Sequence, residues 1–229
     1  MITTLNGNFE LDGMDNCQSV ELLYNRVWES HLLDVINKYV IPGSAAVDAG
    51  CNFGTMSIPI ARKLGPLGHL YSFDISLYMI RKFLNNIKLN NNLAAIHIVN
   101  MALSDKCDEY VYFNDIEFKN NLQVNYGDIR IHASKDNHFG QMIKTTTIDT
   151  YNLDNVSFIK VDCQGYDLKV LRGAVNTITK CRPVVVFEWE EHMAQPHGDT
   201  FQDTINFFSS INYGIEKIAK DDWIAKYNG

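Results

Sequence analysis

The chain has 229 residues, of which 46% are hydrophobic and 21% are charged. This length and composition predict one globular domain with a substantial core, and they exclude an intrinsically disordered protein. The formal net charge of −7 disfavours binding to nucleic acid, because contacts with phosphates normally require a basic face. We expect no membrane span, because no apolar run approaches the roughly 18 residues that one needs.

The cysteines and the first residues predict a cytoplasmic protein. The five cysteines are odd in number and scattered, without a C-x-x-C pair, which favours free thiols in a reducing compartment over disulfides or a metal site. Residues 1–8 lack the basic and apolar segments of a secretory signal. Residues 1–43 contain an amphipathic stretch, 20–39, and we predict that they form a helical cap on the domain of residues 44–229. The sequence predicts no particular oligomeric state.

A glycine-containing turn at residues 46–54 is the first candidate site. Apolar residues lead into Asp48, the pattern Asp-x-Gly-x-x-x-Gly follows, and an amphipathic run occupies residues 55–64. A strand, turn and helix in this order bring backbone N–H groups against a nucleotide-like ligand. The acid precedes the first glycine, unlike the dinucleotide pattern G-x-G-x-x-G. The turn therefore favours a cationic ligand, S-adenosyl-L-methionine, over the NAD of an oxidoreductase. The predicted cofactor-binding residues are Asp48, Gly50, Cys51, Asn52 and Gly54.

A second candidate group follows the next two predicted strands. Residues 69–73 alternate like a strand and end in Asp74, which lies 20 residues after Gly54. A carboxylate at this position can accept hydrogen bonds from both ribose hydroxyls. The alternative is a helix N-cap for the run 77–89, although Ser76 can fill that role. A third strand, 95–99, leads into a polar loop. Met101 and Ala102 in this loop are predicted to border the adenine, and Ile75 is a further predicted cofactor-binding residue.

Residues 106–148 predict an inserted β-hairpin region between the third and fourth strands. Short strand-like segments at 110–113, 130–133 and 143–148 are separated by turns that contain asparagine and glycine. We expect this region to form one wall of a pocket. His132 and His138 lie in it, and we interpret them as surface residues rather than metal ligands.

Acidic residues follow the fourth and fifth predicted strands. Asp162 ends the strand 156–161, which we place beside the first strand, where it can reach the cofactor's amino group and a substrate hydroxyl. Glu188 ends the strand 183–187 and shares a face with Glu190 if the extended conformation continues. A solvated loop is the alternative for this acidic run. The candidate general bases are Asp162 and Glu188, with His192 behind them.

Several motifs resemble, in the same order, those of the FkbM-type methyltransferase family. Residues 46–54 are similar to the family's VxDVGANxG turn, and residues 158–174 to its FIKxDxEGxExxVLxGA signature. Shorter similarities lie at residues 102–105, 146–149, 182–188 and 212–214. Three departures stand out: Gln164 and Asp167 each replace a glutamate, and residues 74–76 replace the usual Glu-Pro.

The resemblance implies a class I S-adenosylmethionine-dependent O-methyltransferase. Its fold would be an α/β domain with a doubly wound, seven-stranded, mostly parallel sheet and an antiparallel last strand near residues 222–227. The implied reaction is an in-line displacement at the sulfonium methyl, which requires alignment of the reactants and a base for the hydroxyl proton. With the acidic balance, we expect a sugar, glycan or small-metabolite hydroxyl as acceptor. Two alternatives stay open: a catalytically silent cofactor-binding module, because of Gln164, and an RNA ribose 2′-O-methyltransferase.

Overall fold

A computed structural model describes residues 1–114, 125–132 and 140–229. The strands in chain order are β1 (Ile2–Thr3), β2 (Asn8–Phe9), β3 (Ala45–Ala49), β4 (His69–Phe73), β5 (Ala95–Val99), β6 (Ala102–Leu103), β7 (Tyr110–Phe113), β8 (Gln141–Thr146), β9 (Val156–Val161), β10 (Val184–Glu188), β11 (Tyr213–Lys217) and β12 (Asp222–Tyr227). The helices are α1 (Gln18–Asn25), α2 (Ser30–Tyr39), α3 (Ser57–Leu64), α4 (Leu77–Lys88), α5 (Asp167–Arg172), α6 (Val175–Cys181), α7 (Glu191–Ala194) and α8 (Phe201–Ser210). Two short 3₁₀ helices lie at Ile148–Tyr151 and Gln195–His197.

Seven of these strands form the central sheet, in the order β11-β12-β10-β9-β3-β4-β5. β12 runs antiparallel to both of its neighbours, and the pairs from β10 to β5 are all parallel. The chain builds outward from β3 to β5 and then returns to place β9 on the other side of β3. The predicted doubly wound fold is confirmed, and its switch point lies between β3 and β9, where such sheets bind ligands.

The two faces of the sheet are covered by different helices. All five residues of β3 are buried, as expected for a central parallel strand with helices on both faces. Alternate residues along the strands point to opposite faces, so the core divides into two layers. One layer packs with α2 and α3 and includes Ala46, Phe158, Val186, Ile36 and Ile60. The other packs with α5, α6 and α8 and includes Val47, Ile159, Val185, Val170, Ile178 and Phe208.

The amphipathic stretch 20–39 is two helices rather than one. Arg26 and Glu29 adopt left-handed backbone conformations, with φ angles of 60° and 47°, and these interrupt the helix. The cause is a tertiary contact with the buried side chain of Asn6. Its Nδ2 donates to the Trp28 carbonyl at 3.0 Å, and its Oδ1 accepts from the Trp28 N–H at 2.8 Å. Pairing with Asn6 therefore holds the break between α1 and α2.

The insertion forms a separate three-stranded sheet in the order β6-β8-β7. β7 and β8 are antiparallel, as a hairpin requires, while β6 runs parallel to β8. The predicted strand at 130–133 is wrong for its described part, which contributes an isolated bridge between Ile131 and Phe113. The predicted strand 143–148 is shifted, because the Thr147 side chain accepts from the Thr150 N–H and starts a 3₁₀ helix. Residue 133 and His138 lie outside the described residues.

The predicted helix 168–177 is divided into α5 and α6 near Gly173. A Cβ atom on Gly173 would lie 1.9 Å from the carbonyl oxygen of Ser104, so a residue with a side chain does not fit. This close approach brings the end of α5 against the start of the insertion. In the described ranges no helix is long and apolar enough to cross a membrane.

Candidate functional site

A cavity of about 230 Å³ lies at the carboxyl ends of β3, β4 and β9. Segments from the N-terminal region, the central sheet and the insertion all contribute to its wall. The predicted site residues that line it are Gly50, Cys51, Asn52, Asp74, Ile75, Met101, Asp162 and Glu188. The predicted site residues outside the lining are Asp48, Gly54, Ala102 and His192.

The turn after β3 is held against the ends of β4 and β9. The N–H groups of Gly50 and Cys51 donate to the Phe73 carbonyl at 2.9 and 3.0 Å. Gly50 has a φ angle of +80°, and a Cβ atom there would lie 1.8 Å from the Asp162 carbonyl oxygen. Only glycine suits both the conformation and this approach. Gly54 instead allows the turn to pack closely against α4, because a Cβ atom there would lie 2.3 Å from the Phe83 ring.

Asp74 joins the glycine turn to the next βα connection. One carboxylate oxygen accepts from the backbone N–H of Asn52 at 2.7 Å, and the other from the N–H of Ser76 at 2.8 Å. The Ser76 side chain in turn caps α4 by accepting from the Met79 N–H. The sequence alternatives for Asp74 and Ser76 are therefore separated, because Ser76 is the helix cap and Asp74 remains at the cavity wall.

Residues near the end of β5 divide between the cavity and the core. Ile75 and Met101 line the cavity. Ala102 begins β6 and is completely buried, so it packs inside the insertion, whereas the adjacent Leu103 reaches the cavity. The two-residue alternation of a strand accounts for this difference.

A buried ion cluster lies beneath the cavity. The Lys160 ammonium is 3.0 Å from Asp162 Oδ2 and 3.8 Å from Asp48 Oδ1. Asp48 is fully buried and accepts a hydrogen bond from the Ser57 hydroxyl, which explains why it does not line the cavity. Burial raises the pKa of Asp48, partly offset by the Lys160 charge. The attraction of both carboxylates outweighs burial for Lys160, whose pKa lies well above its ordinary value.

Asp162 and Glu188 differ in protonation although they lie side by side. The Gln164 Nε2 donates to Asp162 Oδ1 at 2.9 Å and to Glu188 Oε2 at 3.0 Å. Burial raises the pKa of Asp162, but Lys160 and Gln164 outweigh it, so the net shift is downward. Two causes raise the pKa of Glu188 to about 11: the negative charge of Asp162, which has the larger effect, and burial. The pKa values of the two neighbouring carboxyl groups are therefore shifted in opposite directions, downward for Asp162 and upward for Glu188.

The two departures near the fourth strand have structural explanations. Gln164 supplies the amide donors that hold Asp162 and Glu188 together, whereas a glutamate there would add a third carboxyl group. Asp167 is buried and accepts from the N–H groups of Cys163 and Gly165, both at 2.9 Å. It closes the turn before α5. Burial raises its pKa to about 7, although these backbone donors lower it.

His192 is not assembled with the two acids. It lies in α7, its side chain is 68% exposed, and its Nδ1 is 3.4 Å from Glu190 Oε2. Glu190 lines the cavity with Glu188, in agreement with their predicted common face. His132 is half-buried, and its backbone N–H donates to the Tyr112 carbonyl. Among the described side chains, no group of three or more His, Cys, Asp or Glu residues is arranged to hold a metal ion.

Two charged residues at the cavity were missed by sequence reasoning. Lys160 could have been recognised from the sequence, because it is the only charged residue in the largely apolar strand β9. No sequence pattern indicated Glu29, since its position at the cavity follows from the break between α1 and α2. Burial raises the pKa of Glu29 to about 8, with the Lys160 charge acting in the opposite direction. The cavity thus has an acidic wall and a single buried cation among its described residues.

Comparison with known proteins agrees with this fold. The family model of the methyltransferase FkbM domain matches residues 48–215. The methyltransferase sdnD of Sordaria araneosa is 24% identical over 204 residues, with 77% of each chain covered. The crystal structure of methyltransferase FkbM from Methylobacillus flagellatus superposes with a TM-score of 0.51 at 14% identity, covering 98% of this chain and 63% of that one. A protein described as an rRNA methylase, from Clostridium thermocellum, has a TM-score of 0.50 at 11% identity, covering 87% and 95%.

The sheet and the acid-flanked turn at its switch point define a class I methyltransferase, whose cofactor is S-adenosylmethionine. More narrowly, the chain belongs to the FkbM methyltransferase family, because the family model covers most of its length. This result removes the NAD-dependent oxidoreductase alternative.

Proposed function

We propose that this methyltransferase methylates a hydroxyl group of a sugar, glycan or other small metabolite, with Asp162 as the general base. The observation that carries the proposal is the position of Asp162, which lines the cavity with one carboxylate oxygen 3.0 Å from the Lys160 ammonium. A base must be ionised at the working pH and within reach of the acceptor's proton. Asp162 meets the first requirement because Lys160 stabilises its charge, and it lines the cavity.

The residues of the cavity fit S-adenosylmethionine. We propose that Gly50, Cys51 and Asn52 hold its methionine end, that Asp74 accepts the ribose hydroxyls, and that Ile75 and Met101 border the adenine. When bound, the cofactor supplies a methyl group activated by a positively charged sulfur. Asp74 already forms short bonds to two backbone N–H groups, so its carboxylate is oriented before the ligand arrives.

The residues around Asp162 have separate proposed roles. Lys160 keeps Asp162 ionised, and Gln164 fixes the position of its carboxylate. Glu188 holds its proton through neutral pH and acts as a neutral hydrogen-bonding group toward the acceptor. Asp162 takes the hydroxyl proton as the new bond to the methyl carbon forms. A general base of this kind contributes about 10²- to 10⁴-fold to a rate.

The charge of the cavity supports a small neutral or cationic acceptor over RNA. Its lining contains Glu29, Asp74, Asp162, Glu188 and Glu190, with Lys160 as the cation of the described lining. An RNA acceptor brings phosphates that need basic partners, and the chain as a whole has a net charge of −7. We also propose a reducing, cytoplasmic location, which is supported by the five free cysteines.

Transfer of a labelled methyl group tests the proposal. The purified protein is incubated with labelled S-adenosylmethionine and panels of sugars, polyhydroxylated metabolites and RNA transcripts. We expect transfer to a small hydroxyl compound, a loss of at least about 100-fold in Asp162→Asn, and a smaller loss in Glu188→Gln. Because Glu188 is already neutral, its glutamine variant is the matched control.

Different failures have different meanings. A wild-type rate in Asp162→Asn would exclude Asp162 as the base. Efficient transfer to RNA alone would favour the ribose 2′-O-methyltransferase. Cofactor binding without transfer to any compound in the panels would favour the silent module.

A further inference from the structure

Glu29 lines the cavity with a carboxyl group of which one oxygen atom receives no hydrogen bond from the described residues. Its Oε2 atom is buried and has no hydrogen-bond partner among the residues that the structure describes. Its backbone lies in the left-handed region, with φ 47° and ψ 61°, which is unfavourable for a residue other than glycine. The bonds between Asn6 and Trp28 hold this conformation. A strained residue with a buried, unpaired acceptor is typical of a position that serves a ligand.

The groups that face Glu29 come from several elements. They are Lys160 in β9, Asp162 after β9, Asp48 in β3, Asp222 in β12 and Cys17 before α1. His31 belongs to the same surroundings through Asp222, from which its Nε2 lies 2.7 Å. Lys160 is the permanent cation of this set, and it is already shared between two aspartates. Burial therefore dominates at Glu29 and raises its pKa to about 8, so the ligand-free residue holds a proton at neutral pH. A cationic ligand would reverse this preference.

The position of Glu29 identifies which part of the cofactor it meets. Asp74 follows β4 on one side of the Gly50 turn, whereas Glu29 interacts with charges on β3, β9 and β12, on the other side. A ligand with its ribose at Asp74 that passes over Gly50 ends near Glu29. Thr55 and Met56 line the cavity just before α3, and the first N–H groups of a helix favour a carboxylate. A group that carries both an ammonium and a carboxylate matches this end of the cavity.

We propose that Glu29 binds the α-ammonium group of S-adenosylmethionine and is a further cofactor-binding residue of this enzyme. The proposal rests on the cofactor alone and is independent of the acceptor. As the ligand binds, the Glu29 carboxyl group releases its proton to solvent, and the resulting carboxylate accepts a charge-assisted hydrogen bond from the ammonium.

Calorimetric titration tests this assignment without any methyl transfer. The ligands are S-adenosylhomocysteine, which has the amino-acid end, and 5′-methylthioadenosine, which keeps the adenosine and the sulfur but lacks that end. We expect Glu29→Gln to bind S-adenosylhomocysteine about 10- to 100-fold more weakly than the wild type, with unchanged affinity for 5′-methylthioadenosine. Glu21→Gln, an exposed position on α1 outside the cavity lining, is the matched control and should behave as the wild type.

The pH dependence gives a second readout. Between pH 6.0 and 7.5 the affinity of the wild type for S-adenosylhomocysteine should rise by up to about tenfold per pH unit, because a bound proton must leave. Titration in two buffers of different ionisation enthalpy should show proton release at pH 7. Glu29→Gln keeps His31 and all the other neighbouring groups, so the loss of both effects in this variant assigns them to Glu29.

Three results would overturn the assignment. They are wild-type affinity in Glu29→Gln, equal weakening of both ligands, and the absence of proton release from the wild type at pH 7. The last measurement needs no variant, so it holds even if Glu29→Gln folds poorly. A protein that binds as expected but transfers no methyl group would contradict the proposed acceptor chemistry and leave the role of Glu29 intact.

Discussion

Replacing Lys160 by methionine should destabilise the protein strongly, and more at higher pH. Methionine has a similar length but no charge, so Asp48 and Asp162 lose their common cation. At the distances of 3.0 and 3.8 Å, an effective dielectric constant of about 20 gives attractions of roughly 5.5 and 4.4 kcal/mol. Lys160 and Asp48 are buried and Asp162 is 27% exposed, so water screens these attractions less than it screens a pair at the surface.

Proton uptake limits the size of this loss. An aspartate without its cation can fold in the neutral form, and holding that proton costs about 1.36 kcal/mol for each pH unit above its ordinary pKa of about 3.9. If one aspartate takes up one proton, the loss in the free energy of unfolding is therefore at most about 5 kcal/mol at pH 7.5 and about 1.5 kcal/mol at pH 5.0. In the variant, the aspartate has a higher pKa in the folded state than in the unfolded state. The protein therefore loses stability as the pH rises above the unfolded-state pKa, and the penalty should disappear toward pH 4.

Urea denaturation followed by tryptophan fluorescence measures the effect at both pH values. The expected loss in the free energy of unfolding for Lys160→Met is about 3–5 kcal/mol at pH 7.5 and about 1–2 kcal/mol at pH 5.0. Lys226→Met removes an exposed pair with Glu216, whose atoms are 2.9 Å apart, and should change stability little because water screens it. A loss of the same size at both pH values, or one no larger than that of Lys226→Met, would refute the reasoning.

Two further predictions concern the glycine turn. Gly50→Ala should destabilise the protein by at least about 2 kcal/mol more than Gly65→Ala and should abolish cofactor binding. The Cβ atom at Gly50 would meet the Asp162 carbonyl, whereas a Cβ atom at Gly65, which also has a positive φ angle, would meet nothing within 4 Å. Thermal denaturation and calorimetry check this, and similar stabilities would contradict it. Asp74→Ala should weaken S-adenosylhomocysteine binding by about 10- to 100-fold, because it removes the proposed ribose ligand and the acceptor for the Asn52 N–H. An unchanged dissociation constant would exclude the ribose role.

Much of the central sheet was predictable because its strands are short, apolar and bounded by turn residues. The bounds of β4, β5 and the antiparallel β12 agree with the sequence prediction. Asp74 and Asp162 were found by one rule, that the carboxyl ends of parallel strands meet at the ligand. The helix break at Gly173 was not predictable, because it depends on a contact with Ser104 that lies far away in the sequence.

The positions of the acidic residues around the cavity likewise depend on contacts between distant parts of the sequence. Glu29 lies there because Asn6 interrupts a helix that periodicity alone would continue. His192 was grouped with Glu188 by closeness in sequence, but the chain begins a helix at Glu191 and leaves the histidine largely exposed. The protonation of Glu188 depends on Asp162, from another strand, and no local pattern encodes it.

The insertion has a consequence for how this enzyme can change over evolution. Its three strands form a sheet of their own, and their hydrogen bonds do not continue into the seven-stranded sheet. Ile129 and Ile131 from this region line the same cavity as Asp162 and Glu188. Substitutions in the insertion can therefore reshape one side of the cavity without altering the register of the strands that carry the glycine turn and Asp162. We therefore expect that changes in the insertion would alter the acceptor while the residues of the central sheet that bind the methyl donor stay the same.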